Sequence, residues 1–225
     1  MTRLIIPGAL ALVLAAGAWW LTSAPTPGPT DQPLGAVNAQ ESDDEAEIDT
    51  STVVEMSLGN PDAAVTMIEY ASFTCPHCAR FHKEQFKQLK ADYIDTGKIH
   101  FIYRDVYFDR LGLWAALVAR CGGQERFFGI ADMMYDQQSD WIGDQDPVAV
   151  ADRLRKIGMV AGLSEEKLES CLTDNIRAKT LVAWYQENAS ADGVQSTPTL
   201  IINGDQYANL RYSELQEVLN EALAE

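Results

Sequence analysis

The sequence predicts an α/β domain interrupted by an all-helical insertion, and three observations carry that expectation. Short apolar runs of strand length occur at Val65–Tyr70, Ile99–Val106 and Thr199–Ile202. Between the second and third, over residues 108–191, every periodic segment has helical spacing. A closely spaced cysteine pair, Cys75 and Cys78, follows the first run and opens a helix. The 225 residues are 47% hydrophobic and 22% charged, enough to bury one sizeable core. The net charge of −16 argues against a nucleic-acid partner, which requires clustered Lys and Arg.

Residues 1–24 stand apart from the fold. Arg3 precedes an apolar run from Leu4 to Leu21, broken only by Pro7, Gly8 and Gly17, the pattern of an export signal or a membrane anchor. The run is long enough to span a bilayer, with Trp19 and Trp20 suited to its far interface. Thr22-Ser23-Ala24 offers small residues for cleavage, although Pro25 follows; Val37-Asn38-Ala39 is a better site farther away. Signal peptide and membrane tether through residues 4–21 both stand open, and both place the rest outside the cytosol. Residues 25–51 read as a disordered linker. Four prolines from Pro25 to Pro33 extend its first half, and acidic residues from Glu41 to Asp49 keep its second half solvated.

Residues 52–225 form the folded part. Val53–Leu58 is expected as a first strand, ended by Gly59-Asn60-Pro61-Asp62. Val65–Tyr70 and Ile99–Val106 supply the next two. Helices are expected over 110–121, 124–137, 147–160, 164–172 and 174–191, with Asp146-Pro147 and Ser164 as starts and Gly158, Gly162 and Gly193 as stops. Thr199–Ile202 is a further strand, and Asn203-Gly204 a hairpin turn with the return strand from Tyr207. Ser213 with Gln216 resembles a capping box for a last helix, whose apolar stripe is Leu215, Val218, Leu219, Ala222 and Leu223.

The chemistry sits in Cys75-Pro76-His77-Cys78. Pro76 suits the first helical position, where a missing N–H costs nothing. Cys75 then faces the positive end of a helix with His77 beside it, a setting that lowers a thiol pKa. Other readings remain. The pair is half a zinc site, to which His82 adds a third donor, or a purely structural disulfide. Haem attachment is excluded, because Ala79 rather than His follows the second cysteine. Cys121 and Cys171 both fall in the insertion. In an oxidising compartment they either pair or remain two buried thiols.

The segment Glu69-Tyr70-Ala71-Ser72-Phe73-Thr74-Cys75-Pro76-His77-Cys78 resembles the active-site segment of the DsbA-like bacterial disulfide oxidoreductases. Gly193-Val194-Gln195-Ser196-Thr197-Pro198-Thr199-Leu200-Ile201-Ile202-Asn203-Gly204 resembles their second signature, a cis-proline loop and its strand. The resemblance covers about residues 52–225 and implies a thioredoxin-like fold with an inserted helical subdomain. It implies Cys75 as nucleophile, Cys78 as resolving thiol and His77 as a stabiliser of the Cys75 thiolate. Pro198 would be the cis-proline, Thr197 the residue lining the substrate backbone, and Glu69 a buried acid that relays protons, unless it is a surface residue of an edge strand. Some similar proteins carry a second, non-catalytic disulfide where Cys121 and Cys171 lie. The implied activity introduces disulfides into reduced exported proteins in the periplasm, using the Cys75–Cys78 disulfide with no other cofactor and no metal. A membrane quinone-linked partner of the DsbB kind would recharge it. Thr197 departs from the apolar residue of the best-known oxidase and occurs in related reductases and isomerases, so the direction of electron flow stays open. A disulfide reductase or isomerase, or a periplasmic metal-binding or chaperone protein, are the alternatives.

Overall fold

The computed structural model describes residues 48–225 apart from Asn209. The expected signal or anchor (1–24) and all but the end of the linker (25–51) lie outside the described residues. Thr50–Thr52 form a single 3-10 turn, capped by the Asp49 carboxylate on Ser51 N–H.

Five strands make one mixed sheet in the order β1-β3-β2-β4-β5. They are β1 (Met56–Gly59), β2 (Val65–Ala71), β3 (Ile99–Asp105), β4 (Thr199–Ile202) and β5 (Asp205–Tyr207). Only β2 and β3 run parallel, with Val65 opposite Ile99 and Ala71 opposite Asp105. Parallel neighbours need a helical crossover. It is supplied by α1 (Pro76–Phe81), which passes without a break through π turns at His82–Phe86 and Lys90–Ile94 around α2 (Lys87–Leu89).

Side chains alternate between faces along a strand. On β2, Val65, Met67 and Ala71 enter the main core, while Tyr70 joins a smaller cluster with Val106, Ala189 and Ile201 on the opposite face. Glu69 shares its alternation with Met67 and Ala71 and is wholly buried. Its strand lies between β3 and β4, so the reading of a surface acid on an edge strand is wrong.

The insertion between β3 and β4 holds α3 (Arg110–Cys121), α4 (Gly123–Asp136), α5 (Gln138–Ile142), α6 (Pro147–Val160), α7 (Glu165–Leu172) and α8 (Asn175–Ala191). Asp109, Asp146, Ser164 and Asp174 each accept a backbone N–H at a helix start, which fixes where four of these helices begin. A disulfide joins Cys121 at the end of α3 to Cys171 in α7. The last helix is α9 (Tyr212–Ala222), with Leu215 and Leu219 buried.

Three boundaries differ from expectation by two residues or more. The first strand starts at Met56 rather than Val53, because Thr50–Thr52 are spent on the 3-10 turn. The return strand begins at Asp205 and ends at Tyr207. Asn203 and Gly204, both at positive φ, close a two-residue turn that starts pairing at once. The cap of α9 is Arg211, two residues before the expected Ser213. The Glu214 carboxylate takes both the Arg211 N–H at 2.9 Å and the Arg211 guanidinium.

Candidate active site

Beyond β2 the chain turns through Ser72, Phe73 and Thr74, and the Cys75 N–H closes the turn on the Ser72 carbonyl at 3.0 Å. Cys75 is the N-cap of α1, in extended conformation, with Pro76 in the first turn. Both cysteines of the pair are thiols in this structure and both are buried, at 8% exposure for Cys75 and 0% for Cys78. The Cys75 sulfur accepts the Cys78 N–H at 3.5 Å.

These neighbours make the pair chemically unequal. A hydrogen bond with the Cys78 thiol is the main influence pulling the Cys75 pKa down to about 5; burial opposes it. The Thr197 hydroxyl and the N–H groups of Cys78 and His77 add to the lowering. Burial first, then that same thiol contact and the negative charge of Glu69, drive the Cys78 thiol far upward. At neutral pH one sulfur is therefore a thiolate and the other a thiol. His77 contributes through its backbone, and its exposed imidazole has no hydrogen-bond partner among the described residues.

The loop before β4 closes the site from the other side. The Thr197–Pro198 bond is cis. The Cys75 thiol lies 3.5 Å from the Thr197 carbonyl oxygen, to which it donates. The Thr197 hydroxyl is buried and has no hydrogen-bond partner among the described residues. The two sequence segments that resemble family signatures thus meet at one sulfur, although 122 residues separate Cys75 from Thr197.

Behind the pair, Glu69 meets His82, with Nε2 3.0 and 3.1 Å from the two carboxylate oxygens. Both side chains are almost fully buried. The imidazole stacks on Tyr135 at 4.2 Å between ring centroids, and Tyr135 shares a 2.6 Å hydroxyl contact with Tyr103. A charge in such a place survives only with a close partner. His82, considered from the sequence only as a metal donor, spends Nε2 on this carboxylate. Its spacing of four from Cys78 was the available signal, since such residues share a helix face.

The insertion reaches the site at two further points. The Thr74 hydroxyl donates to Asp109 Oδ2 at 2.7 Å, while Asp109 Oδ1 caps α3 through Gly112 N–H. A Cβ at Gly112 would stand 3.3 Å from Ser72 Oγ and 3.4 Å from Thr74 Oγ1, close enough that both hydroxyls would have to give by a few tenths of an ångström. From α5, one Gln138 nitrogen donates to the carbonyls of Phe73 and Cys75. Neither Asp109 nor Gln138 carried a sequence signal for this role.

Comparison with known proteins agrees with this architecture. Residues 51–221 match the family model described as thioredoxin. A Rickettsia bellii protein with the provisional name protein-disulfide oxidoreductase is 32% identical over 76% of this chain and 65% of its own length. The chain spans between 61% and 65% of the curated Rickettsia relatives it matches. Among solved structures, Wolbachia pipientis alpha-DsbA1 superposes with a TM-score of 0.71 at 26% identity, covering 76% of this chain and 91% of that one. A protein-disulfide isomerase from Novosphingobium aromaticivorans gives 0.69 at 27% identity, covering 76% and 98%. By fold, by sequence and by the meeting of the cysteine pair with a cis-proline loop, this chain belongs to the thioredoxin family, among its DsbA-like members.

Proposed function

We propose that the protein is a thiol–disulfide oxidoreductase that introduces disulfides into exported proteins. The observation that carries the reading is the inequality of the pair: Cys75 ionises near pH 5 while Cys78 stays protonated. In the oxidised enzyme, a substrate thiolate attacks the Cys75 end of the Cys75–Cys78 bond. Here the balance closes in two steps. First the substrate sulfur bonds to Cys75, and Cys78 leaves and takes up a proton. A second substrate thiolate then attacks the first substrate sulfur, closing the substrate disulfide and releasing Cys75 as thiolate. Two electrons pass from the substrate dithiol to the enzyme.

A sulfur with a low pKa leaves readily, so the donors around Cys75 favour release of the oxidised substrate. Cys78 leaves first and needs a proton, and the buried Glu69, held in place by His82, is the group assigned to relay one to it from solvent. Thr197 and Pro198 line the path of the substrate backbone. The substrates would be reduced chains arriving outside the cytosol, consistent with the apolar run at Leu4–Leu21. A membrane quinone-linked partner of the DsbB kind would restore the Cys75–Cys78 disulfide. Their chemistry asks for no metal.

Two measurements test the reading. Thiolate absorbance of the reduced protein against pH should show a midpoint near 5, and a midpoint near 8 rejects the oxidase. The oxidised protein should also form disulfides in a reduced, unfolded substrate in stoichiometric amount. Failure there, with reduction of a disulfide-bonded substrate instead, reverses the direction assigned.

A further inference from the structure

We propose that Gln138 is a positioning residue for Cys75: its amide ties the helical insertion to the turn carrying the reactive sulfur, and that tie sets how readily the sulfur leaves. The inference rests on the exchange reading above and adds to it a residue far from the cysteine pair in sequence.

Gln138 opens α5 and is 8% exposed. Its Nε2 donates to the Phe73 carbonyl at 2.7 Å and to the Cys75 carbonyl at 2.9 Å. A primary amide has two N–H donors, and both are used here. The two carbonyls lie on either side of the Thr74–Cys75 peptide, so a single nitrogen clamps the turn across the residue that matters. The Cys75 carbonyl also receives the Ala79 N–H at 3.1 Å, the first helical bond of α1. The clamp therefore acts on the peptide group that starts the helix.

Two physical consequences follow. The N–H donors draw negative charge from carbonyls beside the sulfur, which favours the thiolate over the thiol. They also hold Cys75 in the N-cap conformation in which its sulfur meets the Cys78 N–H. A space-filling residue at position 138 supplies neither. Thr74 and Asp109 make a second tie between turn and insertion, so loss of the amide should leave the turn attached but less well held.

The test compares Gln138→Met, which keeps the volume, with Gln138→Glu, which keeps the shape but turns an oxygen toward both carbonyls. Thiolate absorbance against pH, the equilibrium with glutathione and the thermal midpoint are read for each reduced protein. The expected result is a Cys75 pKa raised by about one unit in the Met variant. Its equilibrium with glutathione should shift about tenfold toward the disulfide, about 30 mV. The Glu variant should shift further. Folded variants with a lowered thermal midpoint and an unchanged thiolate titration overturn the proposal, leaving Gln138 a packing residue only.

The wild-type protein provides the measurement that does not depend on a variant folding. The side-chain amide resonances of Gln138 should move with pH, with the same midpoint as Cys75. Resonances indifferent to that ionisation also overturn it. A wild-type titration near pH 8 would instead remove the exchange reading itself, so the two failures are distinguishable.

Discussion

The molecule carries two cysteine pairs, both buried, and they sit at opposite ends of helices. Cys75 caps the N-terminus of α1, and Cys78 follows one turn in, where free N–H groups point at sulfur. Cys121 is the last residue of α3, and Cys171 lies in the last turn of α7. There the nearby carbonyls carry partial negative charge and disfavour a thiolate. The first pair is separated by two residues, and the second closes a span of 50. Burial alone therefore says nothing about reactivity. The sign of the backbone potential at the sulfur separates a sulfur that leaves easily from one that stays bonded, and the span separates the proposed redox pair from a brace.

The largest effect expected from breaking this comparison falls on the first pair. Cys75→Ser removes the only sulfur of the site that ionises at neutral pH, and exchange with thiol substrates should fall to the uncatalysed background. Cys78→Ser should behave differently. Cys75 can still form a mixed disulfide, but nothing resolves it from the enzyme side, so a covalent adduct should accumulate on non-reducing gels. Equal, partial losses in the two variants would contradict the unequal roles.

The second pair should respond in stability rather than in chemistry. Opening a cross-link over 50 residues costs about 4 kcal/mol on the chain-entropy account. Cys121→Ala with Cys171→Ala should lower denaturation free energy by about that amount and leave the Cys75 titration in place. A large change in exchange rate at unchanged stability would mean that the brace also shapes the site.

How much of this contrast was legible from the sequence follows from the range of the forces involved. Local signals were read well. Asp109, Asp146, Ser164 and Asp174 cap helices by bonds within three residues, and the expected starts fall within two residues of the observed ones. The resemblance pointed to Glu69 as a buried acid, and strand alternation accounts for its burial. Failures came from competing local caps, from an element too short to show a period, and from side chains that reach across the fold. The expected Ser213 cap gave way to the Arg211–Glu214 pair, a competition between two plausible starts. α5 has only five residues, too few to show a helical period. Gln138 acts over 63 and 65 residues on carbonyls that no pattern marks. His82 was visible, but its partner Glu69 lies 13 residues earlier on another element. The exposed imidazole of His77 also shows the limit of adjacency, since its backbone rather than its ring serves the sulfur.

A smaller effect appears in the pH dependence of stability. In an unfolded chain the Cys75 thiol ionises at about 8.5; in the folded, reduced protein it ionises at about 5. Because the folded pKa is the lower one, ionisation stabilises the reduced fold above the unfolded value, and this stabilisation is lost as pH falls through 5. Oxidised protein has no such contribution. The reduced form should therefore gain stability relative to the oxidised form between pH 5 and pH 8.5, and the difference should be flat below 5. Reversible denaturation of both forms across this range measures it. A gap independent of pH would mean that the Cys75 thiol is not depressed.

The smallest effect isolates one donor. Thr197 precedes the cis bond to Pro198, and its buried hydroxyl, without a hydrogen-bond partner among the described residues, favours ionisation of the Cys75 sulfur. Thr197→Val replaces that hydroxyl by a methyl group and leaves the N–H groups of Cys78 and His77 untouched. The Cys75 pKa should rise by about one unit, corresponding to about 1.4 kcal/mol. At pH 7 both proteins are still ionised at Cys75, so the whole difference passes into the exchange equilibrium, about tenfold or 30 mV toward the disulfide. Below pH 5 the thiol is protonated in both, and the difference should vanish. The carbonyl contact with Cys75 comes from the same residue but from its backbone, so it survives the substitution. A shift that persisted below pH 5 would thus point to a moved backbone rather than a lost donor. Without any shift at pH 7, the lowered pKa would rest on Cys78 and the helix N–H groups alone.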